Sequence, residues 1–110
     1  MFSVFLPISI TDTTIDFYSL EGEVSVNKEE FTKAVRELFM WRENISATNF
    51  SAALFRLMCH ADSNNAAKFV KGFPEYAVAY SLWYYSFTEE KFKESMQEIF
   101  KLNSEEVQNA

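Results

Sequence analysis

The chain has 110 residues, with 16 acids against 10 bases, one cysteine, two glycines and two prolines. That length makes one domain able to bury a core of its own; one cysteine excludes an intramolecular disulfide, and so few glycines and prolines exclude a turn-rich sandwich or barrel. The net charge of −6 comes with no basic stripe to pair with phosphates, which argues against nucleic-acid binding.

The expected fold is mainly α: four to five short helices packed as a compact bundle, with a short N-terminal β arm or hairpin. Residues 1–26 form the arm or hairpin, 27–102 the helical core and 103–110 a frayed tail. Acidity belongs to the N-terminal quarter, where residues 1–30 hold six acids and one base. Asp12, Asp16, Glu21 and Glu23 are its candidate acidic surface.

Residues 2–10 alternate, with Phe2, Val4, Leu6, Ile8 and Ile10 on one face, which is a strand period. Pro7 cannot donate to a ladder, so this is an edge strand or an extended arm. Thr14–Leu20 reads either as a second strand turning at Glu21-Gly22 into Glu23–Val26, or as a short helix capped by Asp12; the β reading is preferred.

Asn27 is a good N-cap, Glu30 stands at N3, and Val26 and Phe31 take the hydrophobic-staple positions. Phe31, Ala34, Val35 and Leu38 then give a helix over 28–41. Ser46 caps a second helix, stapled by Ile45 and Phe50, with Phe50, Ala53, Leu54, Leu57, Met58 and Ala61 as its core row. Phe55 and Cys59 add a second row, so this helix is expected to be buried on two sides. Asp62 or Ser63 restarts the chain as a third helix over about 64–71, which stops at Gly72 as its C′ residue. Pro74 starts a fourth over 74–85. Thr88 caps a fifth, with a Phe87–Phe92 staple and an apolar stripe of Phe92, Met96, Ile99 and Phe100.

Chemistry is sparse. Cys59 and His60 are adjacent, so on a helix they diverge by about 100° and cannot form a nucleophilic dyad. A buried structural thiol beside a half-exposed ring is expected there. No further Cys or His exists to complete a zinc site. No glycine-rich phosphate loop or serine elbow is present. No enzyme, cofactor, metal or small-molecule substrate is expected. No stretch approaches transmembrane length, and a cytoplasmic location is expected.

The aromatic excess is the most unusual feature. Of nineteen aromatic residues, nine fall between Phe69 and Phe92. Tyr76, Tyr80, Trp83 and Tyr84 share one side of the fourth helix; with Trp41 they are the candidate interaction residues, because rings with polar tips suit surfaces that become covered.

The stretch Asp62–Trp83 (DSNNAAKFVKGFPEYAVAYSLW), with its Lys71-Gly72-Phe73-Pro74-Glu75 junction, resembles a segment of small helical proteins of bacterial phages and mobile elements. The resemblance implies an accessory protein that binds and modulates host or phage machinery. The expected function is a non-enzymatic protein-interaction module with a protein partner or a second copy of itself. One alternative is an acidic inhibitor of a host nucleic-acid-binding enzyme such as a defence nuclease. Another is a helix–turn–helix-like DNA-binding protein using Asn64, Asn65, Lys68 and Lys71.

Overall fold

Residues 1–101 are described by the computed structural model. Three strands, β1 (Leu6–Ile10), β2 (Thr14–Ser19) and β3 (Gly22–Asn27), precede five helices: α1 (Lys28–Glu43), α2 (Phe50–Met58), α3 (Ser63–Gly72), α4 (Pro74–Tyr84) and α5 (Glu89–Glu98). The fold is thus mainly helical with a complete antiparallel sheet of order β1-β2-β3. The tail from Asn103 lies outside the described residues.

The preferred β reading of Thr14–Leu20 holds. Ile15 pairs with Val26 and Phe17 with Val24, so the inner sheet face is apolar; Asp16 pairs with Ser25 and Tyr18 with Glu23 on the outer face. Leu20 and Glu21 form the tight loop. Neither has positive φ; Gly22 takes it instead, at +120°, a conformation that side chains other than glycine's rarely adopt.

The first ten residues depart from their alternation. Only Leu6–Ile10 is strand, on the sheet edge as Pro7 requires, and the register slips between Pro7 and Ser9. Phe2 and Phe5 are buried, whereas Val4, Leu6, Ile8 and Ile10 are exposed. The reason is that residues 1–5 pair with no strand, so the two-residue period has nothing to act on. Phe2 instead packs on Tyr80 at 5.2 Å and on Phe69 at 6.3 Å, and Phe5 meets Phe17 edge-on at 6.3 Å.

This arm crosses α4 and is fastened there. Ser81 Oγ donates to the Ser3 carbonyl at 2.5 Å, and Tyr85 Oη donates to the Phe2 carbonyl at 2.6 Å. Ser81 is fully buried, so its hydroxyl needs a partner, and the arm's backbone supplies it.

At the start of α1, Asn27 Oδ1 accepts from the Glu30 N–H at 2.9 Å, as its cap position predicts. The Asn27 N–H donates across the fold to Glu75 Oε2. Phe31, Ala34, Val35 and Leu38 are all fully buried. Phe17, Phe31 and Phe100 close a triangle with centroids 5.6–6.0 Å apart, joining sheet, α1 and the end of the helical region.

α2 begins later than expected, at Phe50, and Asn49 rather than Ser46 is its N-cap residue. Residues 44–49 are a link, held because Arg56 Nη1 donates to the carbonyls of Ile45 and Ala47. The buried face of α2 is Ser51, Ala52, Leu54, Phe55 and Met58, so Phe50, Ala53 and Leu57 of the expected core row are exposed. Phe55 decides the rotation, since its ring stacks on Trp41 at 5.5 Å and meets Tyr76 at 5.7 Å.

Asp62 caps α3 by accepting from the Asn65 N–H at 2.8 Å. Gly72 is the last helical residue, without positive φ, rather than a left-handed C′. Phe73 ends α3 and begins α4, with Pro74 at the first helical position. Thr88 caps α5 as expected. Phe87 is 93% exposed and staples nothing; Phe92 packs on Phe39 at 5.4 Å instead. Ile99 also leaves the stripe, because α5 ends at Glu98 and the chain beyond it turns Phe100 inward.

Candidate functional site

The aromatic set of α4 does not form one exposed patch. Tyr80 and Trp41 are each 4% exposed and belong to the core, while Tyr76 and Trp83 are half-buried and Tyr84 is exposed. Trp41 lies between Phe55 and Trp83, and the Arg42 guanidinium sits 5.1 Å from the Trp41 centroid and 4.7 Å from that of Trp83. Arg42 Nε also reaches Glu89 Oε1 at 3.2 Å, tying α1 to α5. The rings mostly build the interior and its edges.

Two of the phenols are held protonated by their surroundings. Burial first, and then a hydrogen bond to the Glu37 carboxylate, pushes Tyr76 up to about 12. Burial first, then the neighbouring Cys59 thiol, pushes Tyr80 well above the ordinary tyrosine value. Both act near neutral pH as neutral hydrogen-bonding groups.

Cys59 is exposed, against the expectation of a buried thiol, because α2 ends at Met58 and the chain turns there. Cys59 lines a concavity with Phe2, Tyr80 and Tyr84, whereas His60 lines a different one, between α2 and α3. The two side chains therefore diverge, as their adjacency on the chain predicts. Among the described residues no three His, Cys, Asp or Glu side chains converge as metal ligands would. No helix among them is long and apolar enough to cross a membrane.

The four N-terminal acids are solvent-facing but dispersed. Asp12 sits in the β1–β2 turn and Glu21 in the β2–β3 turn, at opposite ends of the sheet, with Asp16 and Glu23 on its outer face between them. Asp12 shares a concavity with Glu29 and Glu30 as well as Lys28, Lys33, Arg36 and Lys101, so acids and bases are mixed around it.

The most distinctive surface lies elsewhere, between α2 and α3. Its concavity has a volume of about 450 Å³. Leu57, Ala61, Phe69 and Phe73 form its apolar wall; His60, Asn65 and Lys68 form its rim. Phe50 is 66% exposed, Leu57 58% and Phe73 38%, and the Phe50 and Phe73 rings touch with centroids 5.9 Å apart, extending the wall. These positions are exposed for a structural reason: α2 turns Leu54, Phe55 and Met58 inward, which leaves Phe50 and Leu57 outward, and α3 buries only Ala66. The remaining outward side of α3 carries Asn64, Asn65, Lys68 and Lys71, with no acid among them. Sequence reasoning placed Phe50 and Leu57 in the core; two competing apolar rows on α2 were the one signal that either could be left outside.

Compared with family models, curated proteins and solved structures, the chain matches none.

Proposed function

We propose that this chain is a non-enzymatic protein-interaction module that docks a partner on its α2–α3 face. The observation that carries the reading is the exposure, beside one concavity, of Phe50 and Leu57 on α2, whose other face fills the core, and of Phe73 at the α3–α4 junction. Apolar groups gathered this way are favoured in water only when something covers them. A second apolar stretch at the surface, Leu6 to Ile10, is a poor template for strand addition, because Pro7 lacks a donor and the bulge breaks its register.

A non-enzymatic role is supported by the divergence of Cys59 from His60. An exposed unpaired thiol suits a reducing cytoplasm. The resemblance of Asp62–Trp83 to phage and mobile-element proteins supports an accessory role.

The test is affinity capture with two folded variants. Leu57→Lys is expected to lose a partner that Tyr84→Ala retains. Equal recovery with both, circular dichroism being unchanged, excludes this face.

A further inference from the structure

Resting on the α2–α3 face as the docking surface, we propose that its occupant is a segment of another protein that carries large apolar side chains flanked by carboxylates. The apolar half follows from the wall. Leu57, Phe69 and Phe73 line the concavity and Phe50 continues it, a space suited to two or three large side chains. An amphipathic helix with anchors at i, i+3 or i+4 and i+7 presents side chains in that way.

The acidic half follows from the rim. His60 and Lys68 border the concavity, and Lys71 stands one turn further along α3. No carboxylate lines it, in a chain where acids outnumber bases by 16 to 10. Among the described residues neither Lys68 nor Lys71 has an ion-pair partner. The two lysines are thus free to complement a negative group brought by the occupant, and like charge would be turned away.

Two other occupants fit less well. A second copy joined face to face would bring two more lysines and no carboxylate from the concavity's lining, leaving the positive charge of both copies uncompensated. A second copy joined through its acidic sheet would be related head to tail, an arrangement that need not close. Duplex DNA would satisfy the lysines through its phosphates but leave Phe50 and Leu57 against a polar backbone.

The experiment is a selection of short random displayed peptides on the full chain, followed by affinity measurements. Enriched peptides are expected to combine helically spaced large apolar residues with net negative charge. Their binding is expected to disappear with Leu57→Lys, to weaken about three- to tenfold when Lys68→Glu and Lys71→Glu are combined, and to weaken with added salt. Peptides that depend on Leu57 but are neutral or basic overturn the acidic occupant and leave the docking face standing. No enrichment, or binding indifferent to Leu57→Lys, overturns both. Self-association in sedimentation that Leu57→Lys abolishes identifies a second copy instead. A short DNA duplex bound through Lys68 and Lys71 identifies nucleic acid instead, and either result overturns the proposal.

Discussion

The Glu75 carboxylate accepts the backbone N–H of Asn27 at 3.0 Å, so the first turn of α4 completes the cap of α1. In a capping box the N3 carboxylate makes that bond; here a residue 48 positions away makes it. One side chain thereby joins the sheet-to-helix corner to the aromatic helix. Glu75→Ala is expected to lower stability by about 1–2 kcal/mol in urea unfolding. Glu75→Gln keeps an acceptor oxygen and is expected to cost roughly half as much. An unchanged midpoint in both would show that the bond contributes nothing net.

Phe31 and Phe87 are the same residue in opposite situations. Phe31 is fully buried in the Phe17–Phe31–Phe100 triangle, and Phe87 is 93% exposed. Phe31→Ala is expected to cost about 3–5 kcal/mol, while Phe87→Ala stays within about 0.5 kcal/mol. Thermal or urea unfolding of both variants checks this; a large loss at Phe87 would place that ring in the core.

The Tyr76 phenol gives stability a dependence on alkaline pH. Burial and the Glu37 carboxylate hold it at about 12 in the fold, above the ordinary tyrosine value of about 10. The stabilisation it contributes is therefore complete below about pH 10 and lost as pH rises from there towards 12. Tyr76→Phe is expected to flatten that decline in part, since Tyr80 is shifted in the same direction. Absorbance titration at alkaline pH should lose one late-ionising tyrosine in the variant. Loss of a tyrosine that ionises near pH 10 instead would mean that Tyr76 behaves as a free phenol.

The arm over α4 depends on two hydroxyls. Ser81→Ala leaves the Ser3 carbonyl without its donor, and Tyr85→Phe does the same for the Phe2 carbonyl. Each is expected to cost about 1 kcal/mol. Combined, they should speed amide exchange in residues 2–6 while leaving α1 protected, as mass-resolved hydrogen exchange can show. Exchange that rises equally throughout would mean that the arm is no separate unit.

How far the sequence speaks depends on which period governs each stretch. Helix starts were legible where a side chain caps: Asn27, Asp62 and Thr88 each accept from the N–H three residues on. Faces were legible on α1, which has one dominant apolar row. They were not legible on α2, where two rows compete and the choice rests on the distant rings of Trp41 and Tyr76. The arm was misread for a related reason: Phe2 and Phe5 answer to α3, α4 and β2, not to a strand neighbour. The α2–α3 surface inherits that difficulty, since Phe50 and Leu57 lost the competition for the interior. Ser81 had one local sign, a hydroxyl four residues after Ala77 on an inward-facing row.

The fastened arm also orders events in time. Ser3 and Phe2 meet partners 78 and 83 positions later. During synthesis the hairpin and α1 can form from neighbours as they emerge, but the two phenylalanines of the arm must wait in water until α4 has been made. Closing so long a loop is entropically slow relative to local pairing. The arm is thus translated before the helix that fastens it, and until it docks, Tyr80 and Phe69 are without the ring that covers them.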